Sequence, residues 1–225
     1  MGATRWTTLA DVPSRPVQWL WEGRVPLGKV TLLDGEPGSG KSLLALDLAA
    51  RVSRGAALPV SRLRPDAPAD VVIYNDDDNL SDTVRPRLEA AGADLSRIHC
   101  VDGAITAAEL DELKPALVVI DPLATYLALE ESRSPRQVLK EVSDLARECG
   151  AAVLAVQYLP KNGLWADLAY DAVRSVLHVS TIGHGRHRVA LIKSNLRAVG
   201  DVPPLVYHFE GTEGMVRVAG WADSV

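Results

Sequence analysis

The chain has 225 residues, with 24 Lys plus Arg against 29 Asp plus Glu and a formal net charge of −5. Apolar residues make up 47% and charged residues 24%, an ordinary globular balance in a chain long enough to bury a full core. The mild acidity argues against coating nucleic acid by bulk charge, a single Phe argues against an RNA-binding sheet of stacked aromatics, and no apolar run approaches the roughly 20 residues that span a bilayer.

Residues 1–23 carry charges and prolines before any long apolar run, so no signal peptide is read there and a soluble cytoplasmic protein is expected. Trp6, Trp19 and Trp21 can stack on a base, or pack an N-terminal segment, residues 1–28, onto the core or a neighbour. Residues 30–34 form a short β-branched and leucine run ending at Gly35, and 42–53 follow as a largely apolar helix. Residues 54–69 hold three prolines without periodicity and read as a surface loop. Residues 71–74 form the next strand, ending in Asp76-Asp77-Asp78. Val84, Leu88 and Ala91 then recur at helical spacing, with Asn79 or Ser81 as cap. Residues 98–101 read as a strand and 107–113 as a short helix.

Residues 117–120 (LVVI) are a continuous apolar run ending at Asp121-Pro122. Ser134-Pro135 opens a helix, with Gln137 at capping-box spacing and Val138, Leu139, Val142, Leu145 and Ala146 as its buried face. Residues 151–156 are the next strand. Continuous rather than alternating runs are what strands covered on both faces require, so the order reads as a mainly parallel sheet flanked by helices. From 176 the texture changes. Residues 176–180, 189–193, 205–209 and 215–218 read as an antiparallel strand meander on the same sheet, within one domain over residues 1–225. Cys100 and Cys149 are too few for a disulfide framework and are expected as buried thiols in a reducing compartment.

The chemistry begins at Gly35-Glu36-Pro37-Gly38-Ser39-Gly40-Lys41-Ser42, which matches G-x-x-x-x-G-K-[ST] with a strand before and a helix after. Gly38 and Gly40 let consecutive N–H groups point at phosphate oxygens, and the helix adds its positive end. Lys41 supplies a mobile charge for the β- and γ-phosphates, and the Ser42 hydroxyl is a Mg²⁺ ligand. Asp121, ending a hydrophobic strand, is the second carboxylate partner, holding Mg²⁺ beside Ser42. The Asp76–Asp78 cluster ends another strand, where it can orient and deprotonate a water attacking the γ-phosphate, or simply be a solvated acidic turn. Residues 172–200 contain Arg174, Arg186, Arg188, Lys193 and Arg197 and no acid, a basic strip suited to phosphates or to balancing acidic neighbours.

These residues carry a likeness. The chain resembles the RecA-like P-loop ATPases of the RepA type, the hexameric replicative helicase group of the AAA ATPases. The likeness rests on residues 23–29 (GRVPLGK), the phosphate loop, 79–94 (NLSDTVRPRLEAAGAD), 117–123 (LVVIDPL), 151–161 and 193–196 (KSNL). It implies a RecA-like α/β core, hydrolysis of ATP with Mg²⁺, and a homo-oligomeric ring, expected as a hexamer, in which a neighbour completes each site. Residue by residue, the family's water-activating glutamate falls on Asp77, one methylene shorter. The Walker B aspartate falls on Asp121, and the polar sensor on Gln157-Tyr158. The basic residues reaching the neighbour's site fall on Lys193, with Arg197 as a second candidate. Residues 162–171 are shorter than the family's Gly-Ser-rich loop. Two functions follow: a ring motor acting on single-stranded nucleic acid, or an ATP-binding assembly switch with weak hydrolysis. A small-molecule phosphoryl transferase is a third class, without a substrate pocket legible in the sequence.

Overall fold

The computed structural model describes residues 6–63, 67–129, 134–157, 170–212 and 215–223. Two short strands, β1 (Trp19–Trp21) and β2 (Val25–Pro26), pair as a hairpin. Nine further strands form one sheet. In chain order they are β3 (Val30–Gly35), β4 (Val71–Asn75), β5 (Ile98–Val101), β6 (Leu117–Asp121), β7 (Ala152–Val156), β8 (Ser175–Gly183), β9 (Arg186–Ser194), β10 (Leu205–Thr212) and β11 (Met215–Asp223). Their order across the sheet is β11-β10-β9-β8-β3-β7-β6-β4-β5. From β8 through β5 all neighbours are parallel, and β8 to β11 run antiparallel. The expected parallel sheet with a C-terminal meander is therefore the observed one.

Helices α1 (Lys41–Ser53), α2 (Arg85–Ala90), α3 (Ala107–Leu113), α4 (Leu123–Ala128) and α5 (Pro135–Cys149) cover the two faces. Alternation along each strand sorts side chains between them. Leu33, Ile73, Val119, Leu154 and Leu177 pack with Leu44 and Leu48 of α1 and Leu88 of α2. Leu32, Val72, Ile120, Val153 and Val176 pack with Leu110 of α3, Tyr126 of α4 and Leu139 of α5. Both faces are covered, which is why these strands read as continuous apolar runs. The capping box at α5 forms, with the Ser134 N–H donating to Gln137 Oε1 at 2.8 Å. Thr106 and Glu109 make a second box at α3.

Four features differ from the sequence reading. The helix expected after Asn79 begins as a π turn, Leu80–Val84, before α2, with Asn79 accepting from the Ser81 N–H. Helix α4 has no periodic signature in the sequence, because only Leu123 and Tyr126 are buried, too few to show a period. The loop after α1 is not wholly on the surface. Leu58 is buried, and the Pro59 carbonyl accepts the indole N–H of buried Trp21 at 2.8 Å, because a buried indole needs an acceptor. The thiols are not buried either: Cys100 is exposed on edge strand β5, and Cys149 is half-buried at the end of α5. Among the described residues, no helix is long and apolar enough to cross a membrane.

Candidate functional site

The phosphate loop joins the end of β3 to α1. Gly40 sits at the helix N-cap in the left-handed region (φ +89°), and no side chain caps the helix. With no side-chain cap, the positive end of α1 is turned toward an outside acceptor, the geometry an anion uses. Lys41 is buried, and its Nζ donates to the Gly35 carbonyl at 3.0 Å and the Glu36 carbonyl at 2.8 Å. Burial pulls its pKa down, while the charges of Asp121 and Asp34 work the other way. The Ser39 hydroxyl is buried with no partner among the described residues, and Gly38 is open on its Cβ side. A loop with uncapped N–H groups, an orphan hydroxyl and an inward lysine fits a phosphate chain.

Strand order sets the acidic side. β7 lies between β3 and β6, so the end of β7 stands between the loop and Asp121. Asp121 is buried, with Ser42 of α1 beside its carboxyl. Burial first, then the charges of Asp77 and Asp78, push the Asp121 pKa up to about 6, against the pull of Ser42 and Lys41. A hydroxyl beside a carboxylate is a pair of hard-oxygen donors, the kind that suits Mg²⁺. Gln157 directly follows β7, buried, with its backbone N–H on the Leu33 carbonyl at 3.0 Å. The acidic turn is tied to the same place, since Asn75 pairs with Asp121 and the Asp76 N–H reaches the Asp121 carbonyl at 3.4 Å. The three aspartates divide. Asp78 is held by Arg87 at 2.7 Å, whereas Asp76 and Asp77 are exposed. The structure therefore brings together Lys41, Ser42, Asp77, Asp121 and Gln157.

Lys193 and Arg197 lie elsewhere. β9 runs antiparallel to β8, so Ser194 faces Ser175, which pairs with Thr31, four residues before Gly35. Four residues of strand span about 13 Å, and Arg197 lies beyond that end, exposed, lining a cleft of about 260 Å³ with Arg24, Glu22 and Asp223. Neither basic residue is placed to act on its own chain's loop. Lys193 is half-buried, with its Nζ on the Tyr170 carbonyl. The basic stretch is not one strip: Arg186 and Arg188 flank the loop end of the sheet, while Arg174 and Lys193 lie toward the other. Tyr158, Lys161 and residues 162–169 lie outside the described residues.

The description "AAA domain" belongs to a family that matches residues 3–163, well over half of the chain. The chain belongs to this AAA domain family. The DNA repair protein RadA of Mycobacterium tuberculosis is 26% identical over 208 residues, covering 86% of this AAA domain chain and 40% of RadA. Bacillus subtilis RadA is 23% identical over 207 residues, 87% of this chain and 42% of RadA. The chain thus spans less than half the length of these curated relatives. A KaiC-like protein from the hyperthermophilic archaeon Pyrococcus horikoshii OT3 is 19% identical, with 91% of this chain and 100% of that one covered at a TM-score of 0.59. That likeness shows a RecA-like P-loop fold for this AAA domain chain.

Two groups at the loop were not legible beforehand. Asp34, fully buried one residue before Gly35, faces His178 Nδ1 at 2.6 Å and accepts the Tyr170 hydroxyl. The meander of the AAA domain chain also walls the loop. Buried His187 stands beside the Ser39 backbone and lies against Phe209, ring centroids 4.2 Å apart, and Phe209 abuts Gly40. A lone Asp ending a strand and single aromatics in a meander carry no motif. Only a strongly polar residue at an otherwise apolar strand position, Asp34, was a usable signal.

Proposed function

We propose that the chain is a Mg²⁺-dependent, ATP-hydrolysing RecA-like ATPase of the RepA type. On this reading it folds as one ATPase domain over residues 1–225 and forms a homo-oligomeric, hexameric ring on single-stranded nucleic acid. One observation carries this reading: Ser42, opening α1 beside Lys41, lies next to the buried carboxylate of Asp121 at the mouth of the lysine-bearing loop. That RadA relatives are named DNA repair proteins supports a nucleic-acid partner.

In this mechanism Lys41 exchanges the Gly35 and Glu36 carbonyls for β- and γ-phosphate oxygens. The N–H groups opening α1 hold the remaining phosphate oxygens. Ser42 and Asp121 would hold Mg²⁺, which would supply positive charge to offset that of the phosphates. Asp77, exposed beside Asp121, takes the proton of the attacking water at its carboxylate, and Gln157 orients that water from the strand end. Lys193, or Arg197, of a neighbouring subunit meets the charge that develops on the transferred phosphoryl.

The test is ATP turnover with and without single-stranded DNA, beside light-scattering mass with and without ATP. Turnover that needs Lys41 and Asp121, rises with DNA and accompanies assembly supports the motor. A dispersed monomer indifferent to DNA overturns it. A second reading, an ATP-dependent assembly switch, is favoured by the acidic turn, where Asp77 is short and exposed and Asp78 is engaged by Arg87. Assembly on ATP with negligible, DNA-independent hydrolysis would select it.

A further inference from the structure

Asp34, the penultimate residue of β3, has no solvent exposure, and a buried carboxylate needs partners on both oxygens. One oxygen meets His178 on the adjoining strand at 2.6 Å. The other accepts the Tyr170 hydroxyl. At its other end, Tyr170 accepts the Lys193 ammonium on its backbone carbonyl. A single residue thus spans from the phosphate loop's threshold to Lys193. The same Asp34 charge also acts on Lys41.

We propose that Tyr170 is a positioning residue: anchored on Asp34 through its hydroxyl, it fixes the Lys193 ammonium so that it faces a neighbouring subunit's phosphates. This rests on the reading of Lys193 as acting between subunits. The choice of partner is informative. A carboxylate would cancel the lysine charge, whereas a neutral carbonyl takes one of three N–H donors and leaves the charge for phosphate. Lysine has a long, flexible stem, so holding its tip in place before assembly lowers the ordering cost of engaging the neighbour. The anchor itself is firm because Asp34 lies in the middle of a parallel ladder, opposite His178.

Tyr170→Phe tests this, since it removes only the hydroxyl and keeps the carbonyl. Turnover number should fall about tenfold with KM for ATP unchanged, the size expected for a modest misplacement of a reacting partner. Mixing with Lys41→Ala subunits, which carry an intact Tyr170 and Lys193 but no working site, should restore the rate per Tyr170→Phe subunit. Lys193→Ala mixed with the same partner is the control. If Lys193→Ala is rescued but Tyr170→Phe is not, or Tyr170→Phe turns over normally, the positioning role is overturned and the inter-subunit role of Lys193 survives. If Lys193→Ala is not rescued, both fall. Should Tyr170→Phe fail to fold because Asp34 is stranded, the Asp34→Asn/Tyr170→Phe double variant removes that charge and is assayed the same way.

Discussion

Phe209 of β10 lies so close to Gly40 of the phosphate loop that a Cβ on Gly40 would overlap the Cζ edge of its ring. The two residues are remote in sequence, and their contact makes the C-terminal meander a wall of the nucleotide-loop region. Gly40 also needs its left-handed backbone, at φ +89°. Gly40→Ala should therefore fail twice, by overlap and by about 1–2 kcal/mol of backbone strain. Thermal melting should show a lowered midpoint, and titration with an ATP analogue a large loss of affinity. Gly40→Ala/Phe209→Ala should recover only part of either, because the backbone strain remains.

Asp121 should cost the empty protein stability at neutral pH. Its folded pKa, about 6, lies above the ordinary 3.8. The stabilising, protonated form is fully present below about pH 3.8 and lost as pH rises through about 6. Asp121→Asn should then make the nucleotide-free protein more stable at pH 8, by up to ~3 kcal/mol, with little change at acid pH. Urea denaturation at pH 5 and pH 8 measures this. The same variant should abolish turnover, so stability and activity move in opposite directions.

The acidic turn offers two exposed carboxylates and one engaged by Arg87. If Asp77 is the base, Asp77→Asn lowers turnover by roughly 10²–10⁴-fold with ATP affinity kept. Asp76→Asn should change it little. Asp77→Glu, restoring a longer reach, should raise turnover. A larger loss in Asp76→Asn than in Asp77→Asn would move the role to Asp76.

Trp21 is fully buried, gives its indole N–H to the Pro59 carbonyl and meets Trp221 edge-on at 6.0 Å. Trp21→Ala should destabilise by about 3–5 kcal/mol, read by denaturant midpoint. Trp6, almost fully exposed, should tolerate the same change.

Several elements were readable because their causes are local. Strands 30–34, 71–74 and 117–120 announced themselves as continuous apolar runs, and Ser134 with Gln137 marked a helix start three residues apart. Helix α4 and the π turn before α2 were not readable, since one buries too little and the other departs from the helical period only in its hydrogen bonds. At the site, Gly35 to Ser42 and Asp121 were legible by motif. Asp34 is marked only by its polarity in an apolar strand, and His178, Tyr170, His187 and Phe209 by nothing, because each is an ordinary residue until its partner arrives.

By itself, the sequence determined the alternation of strands and helices, the loop whose glycines, lysine and serine suit phosphate, and the aspartate that closes a buried strand. These are set by residues adjacent in the chain, through periodicity, capping and backbone freedom. Only the tertiary structure decided that β7 separates β3 from β6, so that Gln157 stands between loop and carboxylate. It alone decided that Tyr170, 136 residues from Asp34, anchors there while holding Lys193. Such pairings follow from sheet register and the burial of charge. Both are long-range terms, settled when the strands dock and invisible in the local pattern.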